Sequence, residues 1–318
     1  MSINQYVGAD RRTFLKQIPA LAGAIALSGR ASDLFAGIAP KWKNQIGIEL
    51  YTVRKLLTPE GYEPTLAKLA AMGYKEVEPA DPYNHNMEPA KYKQLLKKYG
   101  LKMYSTHSGA TDGPDLEEQL EGQALMGIKY SSISAPKPPV GSAPAKREPK
   151  TIESVKRSCE QMNKYGAILK KFGMKYHIHN HAGEFDPLDD GKTTEYDIFL
   201  KYTDPKLVTL QLDIGWAYMG GQDALEMFKK SPGRFELWHV KDAKYKHADP
   251  KLKPSDRARA SQIVTMGEGD IDYKAVFAQA KQAGLKYFVI EQDTAGQGGR
   301  DTLEDCKIAC QNLYKILS

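Results

Sequence analysis

From Gln45 onward, short apolar or alternating runs are separated by longer amphipathic stretches, and the two kinds repeat in turn. The β-like runs are IGIELY (46–51), YKEVEP (74–79), KMYSTH (102–107), KYSSIS (129–134), KYHIHNH (175–181), VTLQLD (208–213), ELWHVK (236–241) and YFVIEQ (287–292). Between them lie segments with helical spacing, such as TLAKLAAMG, AKYKQLLKKYG, LEEQLEGQALMG, TIESVKRSCEQMNKYGAILKKFG and YKAVFAQAKQAG. Gly73, Gly100, Gly127, Gly173 and Gly284 end these segments, where a left-handed C-cap is expected. Eight strands, each followed by a helix, in roughly 270 residues predict an α/β fold, a (β/α)8 TIM barrel. An open doubly wound sheet is the alternative, but no Gly-rich phosphate fingerprint follows any strand. The long connections 135–150, 243–270 and 293–301 then fall at the C-terminal face, where such barrels build their sites.

The chain divides into residues 1–37, an N-terminal signal and short linker, and residues 45–318, a single barrel domain. DRRTFLK (10–16), followed by the mildly apolar QIPALAGAIALSG, resembles a twin-arginine export signal carried by Arg11 and Arg12. The apolar run is too short for a stable membrane span. Export to the periplasm, with cleavage near residues 31–37, is what this resemblance implies.

Composition adds little beyond ordinary globular character, with 41% hydrophobic and 26% charged residues. A net charge of +6 without a basic, aromatic-interleaved stripe predicts no nucleic-acid partner. The basic stretch Lys244 to Arg259 reads as a solvated loop. Cys159, Cys306 and Cys310 suggest no disulfide framework, and the last two, one helical turn apart, read as buried packing. The pattern implies no particular oligomeric state.

The strand ends carry chemistry. Glu49, Glu78, His107, His179, His181, Asp213, His239, Lys241, Asp242 and Glu291 all fall there, although a barrel interior is normally aliphatic. His177, His179 and His181 alternate, so on a strand they share one face. Two carboxylates and two imidazoles converging from the last four strands suit one divalent metal ion, Mn2+, Co2+, Zn2+ or Mg2+. Asp213 also fits a helix N-cap, and Glu291 also fits an ion pair with Arg300.

LDIGW (212–216), WHVKD (238–242), VIEQD (289–293) and the GEGDIDY turn (267–273) resemble motifs of the xylose-isomerase-like barrels, over almost the whole chain from Ile46. The separation of 26 residues between Asp213 and His239 suits one β-α-β step. The resemblance implies a metal held by Asp213, His239 and Glu291, with a Glu on the fifth strand as fourth ligand. Here that strand reads His179-Asn180-His181 where the family commonly reads Glu-Asn-His, so His179 takes the ligand place. The swap makes the site less anionic and removes a residue that is a catalytic base in some epimerases. His181 matches a supporting or catalytic histidine, and His177 lies one layer deeper as a packed residue. Trp216 stands where many relatives carry His and offers an apolar platform for a sugar ring.

The resemblance further implies a sugar isomerase or epimerase that removes the proton next to a carbonyl through an enediolate. Base candidates are His181, Glu291 and Glu184, with Lys241 and His107 as polar or electrophilic aids. Glu49, Glu78, His107 and Trp216 are the candidate substrate contacts. A keto-glycoside lyase or hydratase using the same first step is the alternative reaction, and a non-catalytic sugar-binding barrel the alternative class. Export favours a neutral sugar or keto-sugar over a phosphorylated one. Apurinic endonucleases share the fold but use three zinc ions, against the one ligand set read here.

Overall fold

The computed structural model describes residues 41–80, 87–136, 150–245, 249 and 251–318. The twin-arginine segment and most of the 135–150 connection lie outside the described residues. Seven parallel strands form the sheet: β1 (Gly47–Glu49), β2 (Glu76–Glu78), β3 (Tyr130–Ser131), β4 (Lys175–His179), β5 (Val208–Asp213), β6 (Leu237–Val240) and β7 (Tyr287–Ile290). Their order is β2-β1-β7-β6-β5-β4-β3, with β1 paired to both β2 and β7.

The predicted run 102–107 fills the remaining gap without becoming a regular strand. On one side Lys102 N donates to Lys75 O (3.0 Å) and Val77 N to Lys102 O (2.9 Å). On the other, Lys129 N and Tyr130 N both donate to Tyr104 O (2.7 and 3.0 Å). Two isolated parallel bridges, Glu76 to Lys102 and Ser105 to Tyr130, are all that remains of a ladder. The barrel therefore closes with eight positions around it.

KYSSIS is also not one strand. Tyr130–Ser131 stays in the barrel, whereas Ile133–Ser134 pairs in parallel with Ala110–Thr111. Ala110 N and Asp112 N capture the carbonyls of Ser132 and Ser134 (2.8 Å each), which draws this end away from the main sheet. All five glycines expected as helix caps have positive φ, from 68° to 112°.

Outside the barrel, alternate strand residues meet the helices. Trp238 stacks on Phe228 with ring centroids 5.0 Å apart and meets Phe277 edge-on at 5.3 Å, both within the main core. Cys159, Cys306 and Cys310 are buried free thiols. Among the described residues no helix is long and apolar enough to cross a membrane.

Inside, a polar layer replaces the usual aliphatic filling. Buried His177 places Nδ1 3.1 Å from Gln211 Oε1 and Nε2 3.0 Å from the Thr106 carbonyl. Gln211 Nε2 donates to both oxygens of Glu78 (2.9 and 2.8 Å), and Ser105 Oγ donates to Glu78 Oε2. These polar groups satisfy one another, as buried groups must. They form a floor beneath the strand ends.

Candidate metal centre

β5 ends at Asp213, whose Oδ1 accepts the Trp216 N–H at 2.8 Å and so caps the helix Ile214–Met219. The cap reading and the ligand reading of Asp213 are therefore compatible. One oxygen starts the helix, and the other faces the barrel. Gly215 allows the helix to begin here, because a Cβ on it would lie 2.4 Å from the Lys241 carbonyl. Asn180 ties the neighbouring strand to this point: its Oδ1 accepts the Asp213 N–H at 3.0 Å.

Four strand ends then converge. One donor atom from each of His179, Asp213, His239 and Glu291 lies within 4.8 Å of the others. Asp213 Oδ2 is 3.4 Å from His179 Nε2 and 3.8 Å from His239 Nδ1, which is 2.8 Å from Glu291 Oε2. Asp213 and His239 are fully buried. Burial and the nearby His239 charge push His179 well below the usual imidazole range, leaving a neutral ring with a lone pair. Burial also opposes the charge on His239, yet Glu291 and Glu78 on its two nitrogens hold it well above that range. Two imidazoles and two carboxylates fit a borderline divalent cation, whose binding would release the proton on His239.

Lys241 departs from its expected role. Its side chain is fully buried, with Nζ 3.2 Å from Asp213 Oδ2, 3.0 Å from Glu291 Oε2 and 2.6 Å from Asp293 Oδ2. Burial favours losing the proton, but these carboxylates outweigh it and raise the pKa. A buried ammonium committed to three anions neither reaches a substrate nor acts as a base. It orients the two candidate ligand carboxylates instead. Glu291 is likewise a poor base: against the effect of burial, Lys241 and His239 hold its carboxyl well below the usual range. Nor does it pair with Arg300, which binds Glu268 (2.7 Å) and Asp305 (2.9 Å).

His181 lies past the end of β4 on the exposed rim, rather than facing the barrel interior with His179. Its ring centroid is 5.0 Å from that of His179 and 5.3 Å from that of Trp216. Glu184 accepts the His181 backbone N–H at 2.8 Å, which fixes the turn carrying the imidazole. Trp216 also lies over the Lys241 ammonium, 4.9 Å from Nζ. Glu49 and Glu78, read as substrate contacts, are 0% and 1% exposed and so lie beneath any sugar at the mouth. His107 is partly exposed, its ring 4.7 Å from that of His179.

Asp293, Gln211, Ser105 and Asn180 received no role from sequence. The first three each lie two residues from a chosen one, and the period of a strand would have put them on the same face. Asp242 has a different task. It accepts the N–H groups of Ala243, Gly267 and Gly269, all at 2.9 Å, so WHVKD and GEGD are two halves of one clamp. A Cβ at Gly269 would lie 2.0 Å from Asp242 Oδ1. Beside this clamp a polar cavity of about 440 Å³ is lined by Lys244, Gln262, Glu268, Gln292 and Arg300 among others.

A barrel with a buried two-histidine, two-carboxylate cluster at its strand ends defines a class, and comparison with known proteins agrees. The model of the xylose isomerase-like TIM barrel family matches residues 66–310, and the chain belongs to that family. An inosose dehydratase of Clostridium perfringens is 33% identical over 150 residues, 45% of this chain and 49% of that one. The chain thus spans about half the length of that relative. The match to an inosose dehydratase of Geobacillus kaustophilus runs longer, with 26% identity over 255 residues, 73% of this chain and 81% of the other. Among solved structures, a sugar phosphate isomerase/epimerase from Parabacteroides distasonis aligns with a TM-score of 0.64 at 23% identity, over 86% of this chain and 94% of that one. An IolI protein with a bound zinc atom aligns with a TM-score of 0.60 at 17% identity, over 86% and 98%.

Proposed function

We propose that this chain is a metal-dependent enzyme that removes the proton next to the carbonyl of a neutral sugar or keto-sugar. The observation that carries the reading is the juxtaposition at the mouth. An exposed imidazole, His181, stands beside an indole and 5.0 Å, ring to ring, from His179, one of four converging donors with Asp213, His239 and Glu291. A divalent cation on those donors would act as a Lewis acid on the substrate carbonyl and so acidify the adjacent C–H.

The chain's own groups carry the rest. Trp216 provides an apolar face on which a sugar ring stacks. His181 takes the proton, with its turn held by Glu184. Lys241, held between Asp213, Glu291 and Asp293, keeps the ligand carboxylates in place. Returning the proton from His181 to a β-hydroxyl as it leaves expels water and completes a dehydration. The dehydratase relatives favour that outcome. Returning the proton to carbon gives isomerisation or epimerisation, the reading favoured by the likeness to an isomerase/epimerase structure. The test is deuterium exchange. Incubated in D2O with inososes and keto-sugars, the metal-loaded protein should place deuterium on the carbon beside the carbonyl of its substrate. No exchange with any ketose, keto-glycoside or inosose would leave only a sugar-binding barrel.

The preference for a neutral substrate rests on export, which we propose from Arg11 and Arg12. Replacing both with lysine should leave the precursor in the cytoplasmic fraction, and unchanged export of that variant removes this support.

A further inference from the structure

We propose that Glu49, Glu78, His107 and His239 form a second divalent-cation site, on the far ring nitrogen of His239. One donor atom from each of the four lies within 4.8 Å of the other three. His239 Nε2 is 3.1 Å from Glu78 Oε1 and 4.0 Å from Glu49 Oε2, and His107 Nδ1 is 4.0 Å from Glu78 Oε1. These donors come from the first three barrel positions and from β6. Apart from the shared imidazole, the set is distinct from the one already described.

Two atoms point to a ligand. Glu49 is fully buried, and its Oε1 accepts the Tyr51 N–H at 3.2 Å. Its Oε2 has no hydrogen-bond partner among the described residues, and neither has the buried Nδ1 of His107. Burying a carboxylate oxygen and a ring nitrogen unpartnered is costly. Glu49 Oε2, His107 Nδ1 and the Glu78 carboxylate are all possible ligand atoms within this one cluster, and the first two have no protein partner. A cation satisfies them all.

His239 gives a second reason. Each of its ring nitrogens faces a carboxylate, Nδ1 facing Glu291 and Nε2 facing Glu78. Nδ1 therefore belongs to the first donor set and Nε2 to the second, so one ring can serve both. Glu78 is already aimed for this by Gln211 and Ser105. Two carboxylates with two imidazoles suit Zn2+ or Mn2+ better than Ca2+.

The inference deepens the metal reading above and shares His239 with it, so the test must separate the two. The full chain is stripped with chelator, reloaded with Zn2+ alone, desalted and assayed for zinc. The native chain should hold two ions, and Glu49→Gln and His107→Gln one each, with unchanged circular dichroism. Loaded with Mn2+, the native chain should give an exchange-coupled EPR spectrum, and both variants an uncoupled one. A native chain with one ion, lost in Asp213→Asn, overturns the second site alone, whereas a native chain with none overturns both readings. Two ions retained in Glu49→Gln also overturn the second site. If Glu49→Gln fails to fold, His107→Gln, with its ring 31% exposed, decides by the same counts.

Discussion

Asp213→Asn and Glu291→Gln are each expected to fold and to hold one divalent ion fewer than the native chain. Both side chains stand at strand ends, where they contribute little to the apolar core. Asn at position 213 still offers an oxygen to the Trp216 N–H, so the helix Ile214–Met219 keeps its cap. Gln at position 291 is isosteric and leaves Lys241 with Asp213 and Asp293. A loss of about 1 kcal/mol would lower the melting midpoint by roughly 2–4 °C in a chain of this size. The effect on the ion is far larger. Removing a group that merely orients a ligand costs roughly 10- to 100-fold in metal affinity, and losing a charged ligand costs more. Affinity at this site should therefore fall by more than about 100-fold, measured by titrating chelator-stripped protein with Zn2+ or Mn2+. Full occupancy in both variants would remove the proposed ligand set.

His181→Gln is expected to keep the metal and lose the proton transfer. The imidazole touches no donor of the cluster through a hydrogen bond, and the Glu184 contact is to the His181 backbone, which glutamine also has. The carboxamide has no basic nitrogen. Deuterium entry beside the substrate carbonyl should slow by at least roughly 100-fold, the lower end of what a general base contributes. KM should change little if Trp216 provides most of the ring contact. Glu184→Gln still presents an oxygen to the His181 N–H and should cost less than about tenfold, as a support for the turn. Undiminished exchange in His181→Gln would move the base role elsewhere.

The barrel was legible because its strands and helices each carry a periodic signal, and the four proposed ligands because each lies at or beside the end of a strand. What lay across the barrel was not. Sequence spacing ranks residues along a strand but does not say which opposite strand they meet, so Glu49, Glu78 and His107 could be placed at the mouth yet not grouped around the far nitrogen of His239. Burial was equally hidden. Lys241 reads as a catalytic cation until three carboxylates are found around it. The run 102–107 looks like its neighbours in pattern, yet only two isolated bridges, at Lys102 and Ser105, form along it. His181 continues the alternation of His177 and His179, but β4 ends at His179, and the next turn belongs to the rim.

The Asp242 clamp has a consequence for how such a barrel diversifies. The strand Asp242–Lys244 pairs antiparallel with Gln262–Val264, and Asp242 is bound to Gly267 and Gly269, so the excursion between leaves and returns at one tied neck. Its closure is already fixed by that neck. Lengthening a loop of this kind costs only about 0.6 kcal/mol per doubling. Residues can therefore be added within this excursion while His239 and Lys241 stay seated on the strand below, with the helix Pro254–Ala260 held to the rim by Ser255 on Asp186 and by Ala258 in one buried cluster with Ala182. Selectivity can drift at the rim without any renegotiation of the chemistry beneath it.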